Sequence, residues 1–515
     1  MATQWQTFPI EFKGGLISNL SALQHGTNAV GSATLLQNFE VNKEGGYSKI
    51  LGYSKYSPTE VPGSGPILAL KVISSTRIVA ARKNASNLTE YYYSTGSSWT
   101  SMASSVGANG GKARSVLYNL DGDDKVIFVD GTNYPAIYNT SGNSVTFLSA
   151  SNSTAISATQ HVAIFKNTAF YAKDNVITFT APFTVDDFSA ANGAGSINVA
   201  NDITGLTVFR DQLIIFTEDS IKRLTGSTSA DFTVSPITDR MGCINGDTIQ
   251  EVGGDIMYLA PDGIRLLSAT ERIGDFGLGV TSDKIFKDVS TFINQTSNFA
   301  SVVLREKAQY RIFAYTESET KDIAKGLIAT KFISQGADGL NWSTIAGIKA
   351  SIADSRYTST LETVAFANED GYVYTMESGS TFDGSAIKAI YESPFMPITD
   401  PQVRKTFYKL TLYVEPSASM NLTLNIKYDF DSSTYTKVVQ PSTQQITATG
   451  SSVFFFGASN SIFNTSTFGG ELDKVYNTNI IGSGKTISLR IEDSTTNPTF
   501  TLDTALLEFS QEDRQ

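Results

Sequence analysis

The chain has 515 residues, more than one hydrophobic core usually accommodates, so at least two structural units are expected. Only 17% of residues are charged, 41% are hydrophobic, and 22 Tyr with 31 Phe exclude a disordered chain. The net charge of −11, with no Lys/Arg run denser than Arg404–Lys405, argues against a groove that grips phosphates but leaves open a surface past which DNA slides.

The first residues, Met1-Ala2-Thr3-Gln4-Trp5, lack a basic and then apolar leader, so no signal peptide is expected. Apolar runs are too short to span a bilayer as a helix. Residues 1–60 carry isolated strand-like pieces, Thr7–Ile10 and Leu35–Phe39, and the pairs Gly14-Gly15 and Gly45-Gly46. They read as an extended arm, part of which supplies ring-closing strands.

From residue 61 the pattern becomes repetitive. Short apolar strands separated by turn formers begin near Pro66, Arg114, His161, Gly205, Thr248, Ala300 and Thr363. Among the first six of these starts the spacing is roughly 43 to 53 residues, that of a four-stranded blade. Asp262-Gly263 and Asp370-Gly371 are hairpin turns. Helical periodicity is confined to segments such as Thr281–Phe292, with Asp283 as cap and Ile285, Phe286 and Val289 on one face. Meanders without crossover helices favour a sandwich or propeller over a parallel α/β sheet. The expected class is all-β: a β-propeller of about six or seven blades over residues 61–384. A β-sandwich over 385–515 follows, read from alternating strands at Lys409–Val414, Leu422–Tyr428 and Thr486–Ile491.

Catalytic chemistry is scarce. His25 and His161 are the two histidines, and His161, opening an apolar strand, reads as a strand-end or core residue. Cys243, in Met241-Gly242-Cys243-Ile244, reads as a small buried hydrophobe; one cysteine excludes an intrachain disulfide. Spaced zinc motifs, a nucleophile elbow and a phosphate loop are absent from the sequence. Asp123-Asp124 and Asp186-Asp187 read as turn residues, with calcium binding a lesser alternative. Ser334–Trp342 and Ser94–Trp99 loosely resemble the Asp-box of sialidases, a turn-plus-tryptophan packing device. The reading is of a protein that is not an enzyme, with no catalytic, cofactor-binding or metal residue and no cofactor.

The stretch Phe209-Arg210-Asp211-Gln212-Leu213-Ile214-Ile215-Phe216-Thr217, continuing through Ser220–Gly226, Met241-Gly242-Cys243, Gly253–Ala260 and Pro261–Arg265, resembles the central part of the tail nozzle, or tail tubular B-like, proteins of short-tailed bacteriophages. Phe12–Leu16, Leu36–Val41 and Glu44–Tyr47 resemble that family's opening, and Val403–Leu410 the start of the sandwich after its propeller. The resemblance implies a virion tail protein assembled in the host cytoplasm as a ring of about six copies. It also implies contacts with other tail proteins, such as adaptor and fibre or spike, and a channel through which genomic DNA leaves. An acidic wall would not arrest that DNA, and the surplus carboxylates are expected on the lumen. Two other readings stand beside it: a baseplate, hub or fibre-attachment virion protein, and a carbohydrate-binding propeller. The latter needs exposed Trp/Tyr and paired acids on one face, with only Trp5, Trp99 and Trp342 available.

Overall fold

Alternating strands joined by tight turns form hairpins, and a meander of hairpins buries both faces only by stacking sheet on sheet. The computed structural model describes residues 5–20, 29–102, 107–268, 280–331, 339–358, 361–417, 419–430, 444–448 and 474–512. It is all-β in class, built from small antiparallel sheets.

Seven of these sheets follow one another along the chain. The first is Ser64–Ser74, Arg77–Lys83, Thr89–Ser94 and Trp99–Ser101. The second runs from Arg114–Tyr118 to Ser144–Phe147, the third from His161–Phe165 to Gly195–Asn198, and the fourth from Ile203–Phe209 to Thr233–Thr238. The fifth has three strands among the described residues, Gln250–Val252, Asp255–Ala260 and Gly263–Leu266. The sixth runs from Phe299–Leu304 to Leu340–Ala346. The seventh holds Ile352–Thr358, Leu361–Ala367 and Val373–Met376, and takes Tyr53–Lys55 from the start of the chain as its fourth strand.

Each sheet has two apolar faces, and each face meets a sequence neighbour. Val79 and Tyr91 of the first sheet pack with Val126 and Phe128 of the second. Ile127 and Val129 pack with Ala169 and Tyr171 of the third, and Phe170 and Phe179 with Leu213 and Ile215 of the fourth. Phe216 meets Tyr258 of the fifth, whose Leu259 shares a core with Ile312 of the sixth. Phe313 and Ile328 pack with Phe366 and Tyr374 of the seventh. The seventh sheet's Ala365 and Val373 then pack with Ile78 and Ala80 of the first, and the cycle closes. The first strands stand side by side round the centre, with Ile352–Thr358 beside Ser64–Ser74.

Two glycines set how near the fourth and fifth sheets come. A Cβ on Gly246 would lie 2.0 Å from the Thr204 carbonyl oxygen, and one on Gly205 would lie 2.3 Å from Ile249 Cδ1. Gly246 admits no side chain at this spacing, because the clash is with backbone, whereas at Gly205 the Ile249 side chain would have to move.

The expected helix over 281–292 is a 3-10 turn, Asp283–Ile285, running into α1, Phe286–Gln295. Ile285, Val289 and Phe292 are buried, following the i, i+4, i+7 stripe. Two details differ from expectation. Phe286 is one residue off that stripe and 58% exposed. Ser282, not Asp283, occupies the cap position, without a side-chain capping bond.

Beyond the seventh sheet, Thr381–Phe382 and Ser385–Ala386 form a small hairpin around Asp383-Gly384, where a boundary was expected; Thr381–Phe382 pairs in parallel with Tyr53–Lys55. The C-terminal strands then make two layers. One layer centres on Lys405–Pro416 paired with Phe500–Gln511, flanked by Val475–Gly484. The other holds Ala389–Glu392, Ile487–Asp493, Met420–Tyr428 and Gln444–Ala448. Leu410, Leu412 and Leu507 of the first layer share one core with Leu422, Leu489 and Ile491 of the second.

Residues 5–20 and 29–55 join sheets that lie far along the chain. Gln6–Glu11 and Tyr47–Lys49 pair with Phe500–Gln511. Leu35–Gln37 pairs with Ala389–Glu392 on one side and meets Thr344 on the other, joining the sixth sheet and a C-terminal layer into one nine-stranded sheet. Charge reinforces these joins: Arg311, 1% exposed, is held between Glu40 and Glu377, which also share Lys307.

A candidate functional site at the centre of the sheet cycle

Where seven first strands converge, apolar side chains would fill the axis, but the sequence interrupts them with polar residues. Lys71, Arg114, His161, Ser301 and Asp354 lie on first strands; Lys112 precedes its strand and Asp247 lies in the 3-10 turn Gly246–Thr248. They line a mainly polar cavity of about 190 Å³ that touches all seven sheets or the segments leading into them.

Asp247 organises one side. Asn245 Oδ1 accepts the Asp247 N–H at 2.8 Å and fixes the turn. The carboxylate takes Arg114 in a forked contact, Nε to Oδ1 at 2.7 Å and Nη2 to Oδ2 at 3.3 Å, and Lys112 Nζ at 3.0 Å. Sheets two and five stand three steps apart in a cycle of seven, the widest separation possible, so this tie crosses the axis. The same cations reach further: Lys112 Nζ donates to the Phe299 carbonyl at 2.7 Å and Arg114 Nη1 to the Gln160 carbonyl at 3.3 Å. On the other side Asp354 takes Lys71 Nζ and the Val72 N–H, each at 2.8 Å, joining the seventh sheet to the first.

Burial alone would raise the Asp247 carboxyl; Lys112 and Arg114 overcome it and hold the group well below the usual carboxylate range. Burial also lowers the Lys112 ammonium, with Asp247 opposing. His161 is pushed down to about 3 by burial and then by the Arg114 charge, so its imidazole is neutral at pH 7.

The residues singled out from sequence are placed as follows. Cys243 is fully buried beside the Asn245 carbonyl and Thr248, and burial pushes its thiol up to about 11. His25 lies outside the described residues, as does most of Ser334–Trp342. Asp123 and Asp124 sit on the turn before Lys125–Val129, Asp124 pairing with Arg356 at 3.3 Å. Asp187 accepts the Ser189 N–H and Asn192 within its own loop. Among the described residues no group of three or more His, Cys, Asp or Glu side chains converges. The tryptophans stay apart. Trp5 is exposed and stacks on Tyr408; Trp99 donates to the Thr59 carbonyl in the first sheet; Trp342 is buried in the sixth.

The axial set was not named from sequence. Apart from Lys112 and Arg114 its members are far apart along the chain, and the absence of a dense cation run holds only for the linear sequence. The available signal was weak: a charged residue inside an apolar first strand, as in Leu68-Ala69-Leu70-Lys71-Val72.

No family model and no curated protein matches this sequence. Among solved structures the chain is similar to Raptor from Chaetomium thermophilum, at 10% identity and TM-score 0.39, covering 64% of this chain and 29% of that one. It is also similar to the extracellular domain of BT4673 from B. thetaiotaomicron, at 10% identity and TM-score 0.40 over 71% of this chain and 44% of that one. A third is PorZ, a bacterial surface component of the type-IX secretion system of Porphyromonas gingivalis, at 12% identity and TM-score 0.38 over 67% and 43%. The chain therefore spans less than half the length of each of these structures.

Proposed function

We propose that the chain is a seven-bladed β-propeller fused to a β-sandwich, and that it serves as a non-catalytic structural subunit of a bacteriophage tail, one of about six in a ring through which genomic DNA leaves the particle. The observation that carries the reading is the nine-stranded sheet running from the sixth sheet through Leu35–Gln37 into the C-terminal strands. A continuous hydrogen-bonded ladder makes the two units one stiff body, which suits a part that transmits load rather than a pair of jointed binding modules. The sequence phrases at 209–226, 241–265 and 403–410 supply the resemblance to tail nozzles.

The axis of the sheets cannot be the DNA path in this reading, because the Lys112–Asp247–Arg114 tie crosses it. The channel would lie between copies, with acidic side chains repelling phosphates along it. Native mass spectrometry and negative-stain imaging, with and without neighbouring tail proteins, test this. A ring with an open channel between subunits is the expected result. A stable monomer in both conditions overturns it and favours a peripheral virion module or a glycan-binding propeller.

A further inference from the structure

The cavity at the centre of the sheets carries an unbalanced charge. Lys71, Lys112 and Arg114 are its cations and Asp247 and Asp354 its carboxylates; His161 is neutral, so the lining has one positive charge in excess. The chain as a whole carries −11, so this excess runs against the composition. Asp247 is shared by two cations and Asp354 is shared between Lys71 and a backbone N–H, leaving donor capacity on the ammonium groups. The lining includes Ser115, Gln250 and Ser301, and His161 is only 6% exposed. A mainly polar lining with surplus positive charge, part-withdrawn from solvent, strengthens a charge-assisted contact relative to one on the surface.

We propose that this cavity binds a small oxyanion, phosphate or a short carboxylate, between Lys71, Lys112 and Arg114. The anion neutralises the surplus charge and ties the first and second sheets at the axis. The site does not depend on the tail assignment.

Calorimetric titration of inorganic phosphate and of acetate into the full chain in chloride buffer tests it. One saturable site with a millimolar or tighter Kd for at least one anion is expected. Preference for phosphate identifies a tetrahedral ligand, and preference for acetate a planar one. Lys112→Gln removes the surplus charge while leaving Asp247 its forked Arg114 contact, and should weaken binding by about tenfold. Asp354→Asn keeps an oxygen for the Val72 N–H but frees Lys71, and should tighten binding severalfold. A site that is merely structural would not gain affinity in this variant. Should Lys112→Gln fail to fold, Asp354→Asn decides alone. The proposal is overturned by no saturable binding of either anion, or by binding that Asp354→Asn leaves unchanged or weakens.

Discussion

Lys49 and Asp493 lie 2.6 Å apart with side chains 0% and 1% exposed, joining the N-terminal segment to a C-terminal strand. The ammonium also donates to the carbonyls of Thr495 and Asn497, and the carboxylate accepts from Thr495. Such a pair is stable only while both members are present. Lys49→Met should cost about 3–5 kcal/mol in chemical denaturation, whereas Lys49→Met with Asp493→Leu should recover most of it. His161 sets a second expectation. Its folded pKa of about 3 lies below the ordinary 6.5, so the unfolded chain binds the extra proton between these values. Stability should therefore fall as pH drops from 6.5 toward 3, and His161→Gln should flatten that part of the melting profile. Asp247, held low by its cations, adds loss in the same direction, starting only below about 3.8.

Among the elements, the turn Gly246–Thr248 is the tightest join. Gly246→Ala would press a methyl group on the Thr204 carbonyl, and should cost about 1–3 kcal/mol through separation of the fourth and fifth sheets, measured as a drop in melting temperature. The strand groups themselves were legible in the sequence, because period-two alternation between Gly- and Asp-rich turns has one local solution. The helix was legible too, in its buried stripe though not in its cap. Leu35–Gln37 was visible as a strand-like piece, but not as the link between two sheets; three residues specify extended backbone and say nothing about which edges they join.

For the whole molecule, the closing strand is the most consequential element. Tyr53 packs its ring 5.0 to 5.1 Å from those of Phe366, Tyr374 and Phe382. Tyr53→Ala should cost about 3–5 kcal/mol by opening a cavity in the core between the sixth and seventh sheets. Deleting residues 1–60 should be worse, since it removes Tyr53–Lys55 from beside Val373–Met376, the link at Leu35–Gln37 and two of the three strands paired with Phe500–Gln511. The expected product is an aggregating chain with an exposed sheet edge, seen by size-exclusion chromatography and lost protection in hydrogen exchange at Val373–Met376.

The sequence by itself determined the all-β class and the rhythm of strands and turns, because alternation and turn chemistry act over a few residues. Only the tertiary structure decided where the strands at Gln6–Glu11, Leu35–Gln37, Tyr47–Lys49 and Tyr53–Lys55 pair, and that Lys71, Lys112, Arg114, His161, Asp247 and Asp354 meet at one place. Those contacts join residues up to hundreds of positions apart, and depend on how many sheets stand in the cycle and which edges remain open when it closes. That information lies in packing of whole faces, to which each residue contributes and which none of them signals alone.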